Sequence, residues 1–204
     1  MPTSLPEMSA LNKKLTQTLA ETISKQVKHF NKRETECLIR LCNGLLGDQT
    51  LVSIHNSKSL LLLVYLAVFH TFDKDSDGYI SVKEWIEGLS VFLRGTLDEK
   101  IKYCFAVYDL NSDGYISREE MLQMLNDSMI REPTEEDPDE GIKDLVEITF
   151  KRMDYDHDGR LSYADFERAV REENLLLEAF GSCLPDAEST LVFEEQAFKD
   201  PPGQ

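Results

Sequence analysis

The sequence predicts an all-α fold in which helix-loop-helix repeats form two lobes and short strands pair between the loops. Three acidic twelve-residue segments share one spacing pattern, each has a glycine at the same central position, and large apolar residues recur before each of them. The segments are 73–84 (DKDSDGYISVKE), 109–120 (DLNSDGYISREE) and 154–165 (DYDHDGRLSYAD). Because a chance acidic run would not repeat its apolar frame, we interpret them as three copies of one unit.

The carboxylates of each segment would lie close together in a folded loop, which is unfavourable without a cation. A Ca²⁺ loop takes ligands from the side chains at positions 1, 3 and 5, the carbonyl at 7, position 9 (often through water) and an acid at 12. The first two segments match the full D-x-[DN]-x-[DN]-G-x5-E pattern. The predicted ligands of the first loop are Asp73, Asp75, Asp77, the Tyr79 carbonyl, Ser81 and Glu84. Those of the second are Asp109, Asn111, Asp113, the Tyr115 carbonyl, Ser117 and Glu120. Those of the third are Asp154, Asp156, Asp158, the Arg160 carbonyl, Ser162 and Asp165.

The third loop departs from the pattern at position 12, where Asp165 replaces glutamate. Its side chain is one methylene shorter, so two-oxygen contact with an ion is less secure. We therefore expect weaker Ca²⁺ binding there, or more competition from Mg²⁺, whose octahedral shell needs one oxygen at that place.

Two further positions of each loop predict its backbone. Position 6 needs a positive φ, which glycine adopts at least cost, and it is filled by Gly78, Gly114 and Gly159. Position 8 is apolar and predicts a short strand that pairs one loop with another, at Ile80, Ile116 and Leu161. Since three loops leave one without a partner, residues 34–57 are the natural source of a degenerate, metal-free partner for the first loop.

A chain of 204 residues can bury one substantial core or two small ones. We predict an N-terminal lobe over 1–95, with a basic amphipathic helix, a degenerate first copy of the repeat and the first loop. The second and third loops, joined by an exposed acidic linker over 131–141, form a C-terminal lobe over 96–184. Residues 185–204 form a tail.

In the N-terminal lobe, apolar residues every three or four positions predict a helix that Ser9 would cap, at Leu11, Leu15, Leu19, Ile23, Val27 and Phe30. It either packs on its lobe, which we favour, or serves as a basic docking element. A second helix is predicted over 34–46. The apolar run 60–69 (LLLLVYLAVF) is too short to cross a bilayer and predicts a buried helix entering the first loop.

In the C-terminal lobe, Thr96 and Glu99 predict a capping box. The helix after the third loop is expected to continue to Gly181. The apolar tail forms either a short helix in a groove of the second lobe or a frayed end. A set of methionines and leucines is either core or a partner-binding groove: Met121, Leu122, Met124 and Leu125.

The net charge of −16 makes nucleic acid an unlikely partner. Pro2 is incompatible with N-myristoylation, and no membrane-spanning segment is predicted. The four cysteines form no CxxC and predict buried thiols in a reducing compartment. The four histidines show no arrangement for metal chemistry or nucleophilic catalysis, so the chain is not expected to be an enzyme.

From about residue 72 onward the chain resembles the EF-hand proteins of cilia and flagella that are related to the neuronal calcium sensors. The matching segments are EWIEGLSVFLRGTLDEKIKYCF (84–105), EEDPDEGIKDLVEIT (135–149), AVREENLLLEAFGSCLPD (169–186) and FKDP (198–201), with KHFNKRETECLIRL (28–41). The resemblance implies a two-lobed EF-hand fold with three calcium sites and a degenerate first hand. It also implies a monomer of the cytoplasm and cytoskeleton, at the axoneme of the cilium or flagellum.

The same resemblance implies association with an outer-arm dynein subunit or its docking complex, with tubulin as a further candidate partner, and calcium-dependent control of beating. Two other interpretations remain open from the sequence. One is a cytosolic calcium buffer, which binds ions but barely opens. The other is a regulator of a different target, similar to the neuronal calcium sensors.

Overall fold

The computed structural model describes residues 5–46, 52–53, 69–128 and 138–199, and they are mainly helical. The first half contains α1 (Leu5–Ser24), α2 (Lys32–Leu46), β1 (Val52–Ser53), β2 (Tyr79–Ile80) and α3 (Val82–Arg94). The second half contains α4 (Leu97–Tyr108), β3 (Tyr115–Ile116), α5 (Arg118–Ser128), α6 (Pro138–Met153), β4 (Leu161–Ser162), α7 (Tyr163–Glu172), a 3₁₀ helix (Asn174–Glu178) and α8 (Ala187–Ala197). Among these helices, none combines the length and the apolar character needed to cross a membrane.

The chain divides into two compact units. Unit 1 comprises Met1–Ser53, Asp77–Arg94 and Pro185–Gln204, and unit 2 comprises Ile54–Ser76 and Gly95–Leu184. The C-terminal tail thus belongs to the same unit as the N-terminal helices.

Helix α1 differs from its prediction at both ends and on one face. It begins at Leu5, so Ser9 lies within the helix and is not its cap, and it ends at Ser24. Ile23 is buried as predicted, but Leu15 and Leu19 are exposed. These three side chains are spaced four residues apart. On a helix of 3.6 residues per turn, each step of four residues rotates the side-chain direction by about 40°. The apolar stripe therefore winds away from α2.

Helix α2 begins at Lys32, two residues before its predicted start. The Glu34 amide donates to Asn31 Oδ1 (3.0 Å), and the Asn31 amide donates to Glu34 Oε2 (2.9 Å). This reciprocal pair is a capping box with asparagine as the cap, and it fixes the first turn. The spacing Asn31-x-x-Glu34 is the sequence signal that would have located it.

Two antiparallel strand pairs join the loops. In unit 2, Ile116 faces Leu161, as position 8 of the second and third loops predicted. In unit 1, β1 pairs with β2, with Val52 opposite Ile80. The predicted partner for the first loop is thereby confirmed within 34–57. The apolar run 60–69 lies outside the described residues except for Phe69, which is helical and buried.

The core of unit 2 is aromatic. The Tyr108 ring lies 5.1 Å from that of Phe180 and 6.1 Å from that of Phe166, and Phe105 packs 5.8 Å from Phe166. The predicted capping box of Thr96 and Glu99 is confirmed at the start of α4. Three of the four candidate groove residues are core: Met121, Met124 and Leu125 are buried, whereas Leu122 lines a shallow cavity.

The helix after the third loop stops earlier than predicted. It ends at Glu172, because Glu173 adopts an extended backbone (φ −145°, ψ 103°), and the 3₁₀ helix follows. The Tyr108 hydroxyl donates to the Gly181 carbonyl (2.7 Å), and Glu178 Oε1 accepts the Cys183 amide (2.9 Å). These two bonds hold the segment in an irregular turn, so the helix cannot continue to Gly181.

All four cysteines are buried free thiols, which confirms the predicted burial, whereas the reducing compartment stays a prediction. In unit 2 the Cys104 and Cys183 sulfurs are 3.1 Å apart. The hydrogen bond from Cys183 and, after it, burial raise the pKa of Cys104.

The predicted acidic linker 131–141 is wrong at its C-terminal end, because residues 138–141 are the first turn of α6. Pro138 suits the first helical position, and the acids that follow it favour a helix N-terminus. Helix α5 ends at Ser128. Residues 129–137 lie outside the described residues.

The tail forms helix α8, but the predicted groove in the second lobe is wrong, because α8 packs in unit 1. Asp186 caps it by accepting the Ser189 amide (2.7 Å). Beyond its end, the Phe198 ring lies 6.0 Å from that of Phe30. Up to residue 199, the tail is therefore neither frayed nor part of the second lobe.

Arg94, the last residue of α3, holds this tail in place. Its guanidinium binds Glu34 (2.9 Å) and Glu194 (2.7 Å) and donates to the His29 carbonyl (3.0 Å). The same group lies 5.1 Å from the centre of the Phe30 ring and 5.4 Å from that of Phe198. One side chain thus joins three segments that are distant in sequence.

We expect Arg94→Met to destabilise unit 1 by about 1–3 kcal/mol, because it leaves two half-buried carboxylates without their cation. The value is below that of a fully buried pair because solvent screens part of the interaction. Trp85, the single tryptophan, lies in α3, so urea unfolding followed by its fluorescence reports this unit. Arg171→Met is the matched control in unit 2, where both ion pairs are exposed. An equal effect of the two substitutions on Trp85 unfolding would contradict the assignment.

Candidate metal centres

The three loops share one backbone conformation. The glycines at position 6 have positive φ values, 82° at Gly78, 86° at Gly114 and 86° at Gly159, as predicted. Position 4 is also left-handed, with φ near 58° at Ser76, Ser112 and His157. Serine and histidine are weaker signals of positive φ than glycine, so this second turn was not predicted.

The acids at positions 1 and 12 are buried in every loop, although they carry charge. They are Asp73, Glu84, Asp109, Glu120, Asp154 and Asp165. Burying a carboxylate is costly unless a cation or several hydrogen-bond donors compensate for lost water. Each loop therefore has acidic oxygens held away from solvent, at the two positions that open and close it.

In the second loop, backbone amides supply much of this compensation. Asp109 accepts the amides of Asp113 (3.0 Å) and Gly114 (2.9 Å), and Asn111 Oδ1 accepts the Asp113 amide (2.8 Å). Glu120 Oε1 accepts the Asn111 amide (3.2 Å), so the closing acid reaches back to the start of the loop. The predicted side-chain ligands Asp109, Asn111 and Glu120 are thus each held by backbone amides of their own loop.

Asp109 shows the electrostatic consequence of this crowding. Burial raises its pKa, and the nearby carboxylates of Glu120 and Asp113 add to that rise, whereas the two backbone amides oppose it. A proton and a metal ion would compete for the same oxygens. A cation in this loop therefore has to displace that proton at low pH.

The serine at position 9 positions the acid at position 12. Its hydroxyl donates to the acid at 2.6 Å in the first loop, 2.8 Å in the second and 2.5 Å in the third. The pairs are Ser81 with Glu84, Ser117 with Glu120, and Ser162 with Asp165. In the third loop the return bond from the Asp165 amide to Ser162 completes a capping box for α7. These serines were predicted as ligands, and the structure gives them this orienting role as well.

The residues at position 7 are set by the acid at position 5. Asp77 accepts the Tyr79 amide (2.8 Å), Asp113 the Tyr115 amide (3.0 Å) and Asp158 the Arg160 amide (2.8 Å). This bond fixes the peptide plane that leads into position 7, at the first residue of β2 and β3 and one residue before β4. The residues whose carbonyls are predicted as ligands, Tyr79, Tyr115 and Arg160, are thus each held by a hydrogen bond from their own amide.

The third loop gives the sharpest evidence for a missing positive partner. Asp154, Asp156 and Asp158 each place a carboxylate oxygen within 4.8 Å of the other two. Asp154 Oδ2 accepts the Gly159 amide (3.1 Å), but Asp154 Oδ1 is buried and has no hydrogen-bond partner in the part of the chain that the structure describes. An ionised oxygen in that position is stabilised by a cation. A hard divalent ion with oxygen ligands fits this donor set.

The first loop brings Asp73, Asp75 and Glu84 to the same mutual distance, within 4.8 Å. Glu84 closes this group, whereas Asp165, its counterpart, is not among the three carboxylates grouped in the described third loop. Weaker Ca²⁺ binding by the third loop and competition by Mg²⁺ stay predictions.

Several comparisons with known proteins agree with this geometry. The family model of an EF-hand domain pair matches residues 98–171, and that of an EF-hand domain matches residues 65–95. Calaxin of Danio rerio is 66% identical over 203 residues, which cover 93% of this chain and 97% of the relative. Calaxin of Homo sapiens is 55% identical, over 94% of this chain and 97% of the relative.

More distant relatives share part of the chain. Neuronal calcium sensor 1 of Lymnaea stagnalis is 34% identical over 123 residues, which cover 57% of this chain and 62% of the relative. With its paired loops, its buried acids and its likeness to calaxin over nearly the whole length, the chain belongs to the calaxin family of EF-hand calcium sensors.

Proposed function

We propose that this protein senses calcium at the axoneme and regulates outer-arm dynein through a calcium-dependent change of shape. The observation that carries the calcium part is the buried, unpartnered Asp154 Oδ1 within a group of three carboxylates. The dynein part rests on the resemblance to ciliary EF-hand proteins. Action on a partner, rather than catalysis by this chain, is part of the proposal.

The change of shape follows from how the loops connect to the core. Position 12 belongs to the first turn of each exiting helix, so an ion that draws Glu120 inward pulls α5 with it. The helix before the same loop, α4, carries Phe105 and Tyr108 of the aromatic core. A change in the angle between these helices exposes apolar surface that a partner segment can cover.

Electrostatics adds to this effect. Eleven carboxylates are predicted ligands, and three bound Ca²⁺ ions would change the net charge from −16 to about −10 if no protons move. The acidic surface also disfavours nucleic acid. We propose a monomer of the cytoplasm and cytoskeleton that binds a dynein subunit or the docking complex, with tubulin as a further candidate.

We expect calorimetry to detect three calcium sites, with the third loop the weakest and the most sensitive to Mg²⁺. Asp165→Glu should raise Ca²⁺ affinity at the third loop by about tenfold and reduce Mg²⁺ competition, because the longer acid offers two oxygens. Glu84→Asp is the reverse control in the first loop. Unchanged affinity in both variants would show that side-chain length at position 12 does not set the order of the sites.

The second expected result separates a sensor from a buffer. Ca²⁺ should raise the fluorescence of the apolar dye 1-anilinonaphthalene-8-sulfonate, because the aromatic core of unit 2 becomes accessible. Glu120→Gln should lower this response, since a neutral acid analogue binds the ion poorly. Calcium binding by calorimetry without any dye response would favour the buffer.

The dynein proposal is tested by capture from axonemal extract. Outer-arm dynein should be retained by the wild-type protein in Ca²⁺ and lost with a chelator, and the Glu84→Gln and Glu120→Gln double variant should behave as if chelated. The Arg171→Met variant serves as a matched surface control. Retention of dynein that is independent of both calcium and the two acids would refute calcium-dependent regulation, and no retention at all would refute the partner.

A further inference from the structure

Arg118 is the first residue of α5, and its side chain contacts the third helix-loop-helix rather than its own. Its Nη1 donates to the Gly159 carbonyl (3.0 Å), and its Nε donates to Glu147 (3.0 Å). The guanidinium carbon lies 3.8 Å from the centre of the Phe150 ring. Phe150 is fully buried, so this stacking contact is fixed in position.

Both ends of the Gly159 residue are thereby held. Its amide donates to Asp154 Oδ2 (3.1 Å), the first acid of its own loop, and its carbonyl accepts from Arg118 of the other loop. Gly159 has a φ of 86°, so it forms the sharp turn that places Asp154 and Asp158. A shift of Arg118 therefore acts directly on the ligand geometry of the third loop.

Arg118 is equally close to the ligands of the second loop. It follows Ser117, whose hydroxyl orients Glu120, and it precedes Glu120 by two residues in the same helical turn. An ion that moves Glu120 moves the backbone that carries Arg118. The side chain is thus a direct mechanical connection between position 12 of one loop and position 6 of the other.

We propose that Arg118 is a positioning residue that couples the second and third loops, so that calcium in one raises the calcium affinity of the other. The inference rests on the proposed calcium function and names a residue that transmits it. The strand pair of Ile116 and Leu161 is a parallel connection. Loss of Arg118 therefore reduces the coupling and does not abolish calcium binding.

The contacts indicate which property of arginine matters. The pair with Glu147 is half exposed on both sides, so its charge contributes little. The flat guanidinium stacks on Phe150 while one nitrogen reaches the Gly159 carbonyl, and lysine cannot do both. Arg118→Lys, which keeps the charge, should therefore lose the coupling as Arg118→Gln does.

The test measures coupling in the full chain, with Glu84→Gln in every protein to silence the first loop. Calcium is titrated while the NMR signal of the Gly159 amide is followed, since that amide bonds to Asp154, the first acid of the third loop. Each protein is measured with and without Glu120→Gln, which empties the second loop. With Arg118 present, emptying the second loop should weaken calcium binding at the third by about fivefold or more.

In Arg118→Lys and Arg118→Gln the same change should weaken binding by only about twofold or less. Arg168→Gln is the matched control, because Arg168 stacks 3.9 Å from Tyr155 and pairs with Glu172, both within the third helix-loop-helix. It should retain the full effect. If emptying the second loop weakens calcium binding equally in the proteins with Arg118, Arg118→Lys, Arg118→Gln and Arg168→Gln, the role of Arg118 is overturned and the calcium function stands. If the Gly159 signal never responds to calcium, both proposals are overturned.

Discussion

The carboxylates within each loop repel one another, and this repulsion has to be balanced for the loops and their helices to keep their positions. The acids at positions 1 and 12 are buried, and the bonds that hold those of the second loop come from backbone amides and a serine hydroxyl. Neutral donors can orient such oxygens but cannot cancel their charge. The fold therefore holds the acidic oxygens in an arrangement that a divalent ion would complete. Asp154 Oδ1 is the oxygen whose charge lacks a compensating partner among the described residues.

This constraint explains how a local site reaches the core. The opening acid follows the last turn of the entering helix, whose Phe150 carbonyl accepts the Asp154 amide (2.8 Å) in the third loop. The closing acid lies in the first turn of the exiting helix and forms its capping box there. A change in the charge of the loop thus acts on the ends of two helices. The same two helices carry the buried residues Phe150 and Phe166.

The sequence was sufficient for features that one residue type determines. A glycine at position 6 predicts a positive φ, an apolar residue at position 8 predicts the paired strands, and Thr96 with Glu99 predicts a capping box. Features that depend on distant partners were missed. The docking of the tail through Arg94 is one, because neither Glu34 nor Glu194 indicates its partner in the sequence. The left-handed turn at Ser76 was missed for a local reason, since serine is a weaker signal of positive φ than glycine.

The wrong element boundaries have the same physical origin. The helix after the third loop has apolar residues up to Leu177, and local propensity would continue it, but the Tyr108 hydroxyl and Glu178 satisfy the backbone of an irregular turn instead. In α1 the leucines suggest one apolar stripe. Because they are spaced four residues apart, however, Leu15 is rotated away from the face that buries Ile23. Tertiary hydrogen bonds determine where the helix ends, and helix rotation determines which side chains are buried. Both depend on partner elements that are distant in the sequence. Arg118 is a further example. Its position in the chain suggests an exposed residue in the first turn of a helix. Only the packing of Phe150 beside Gly159 brings Arg118 into contact with the third loop as well as its own.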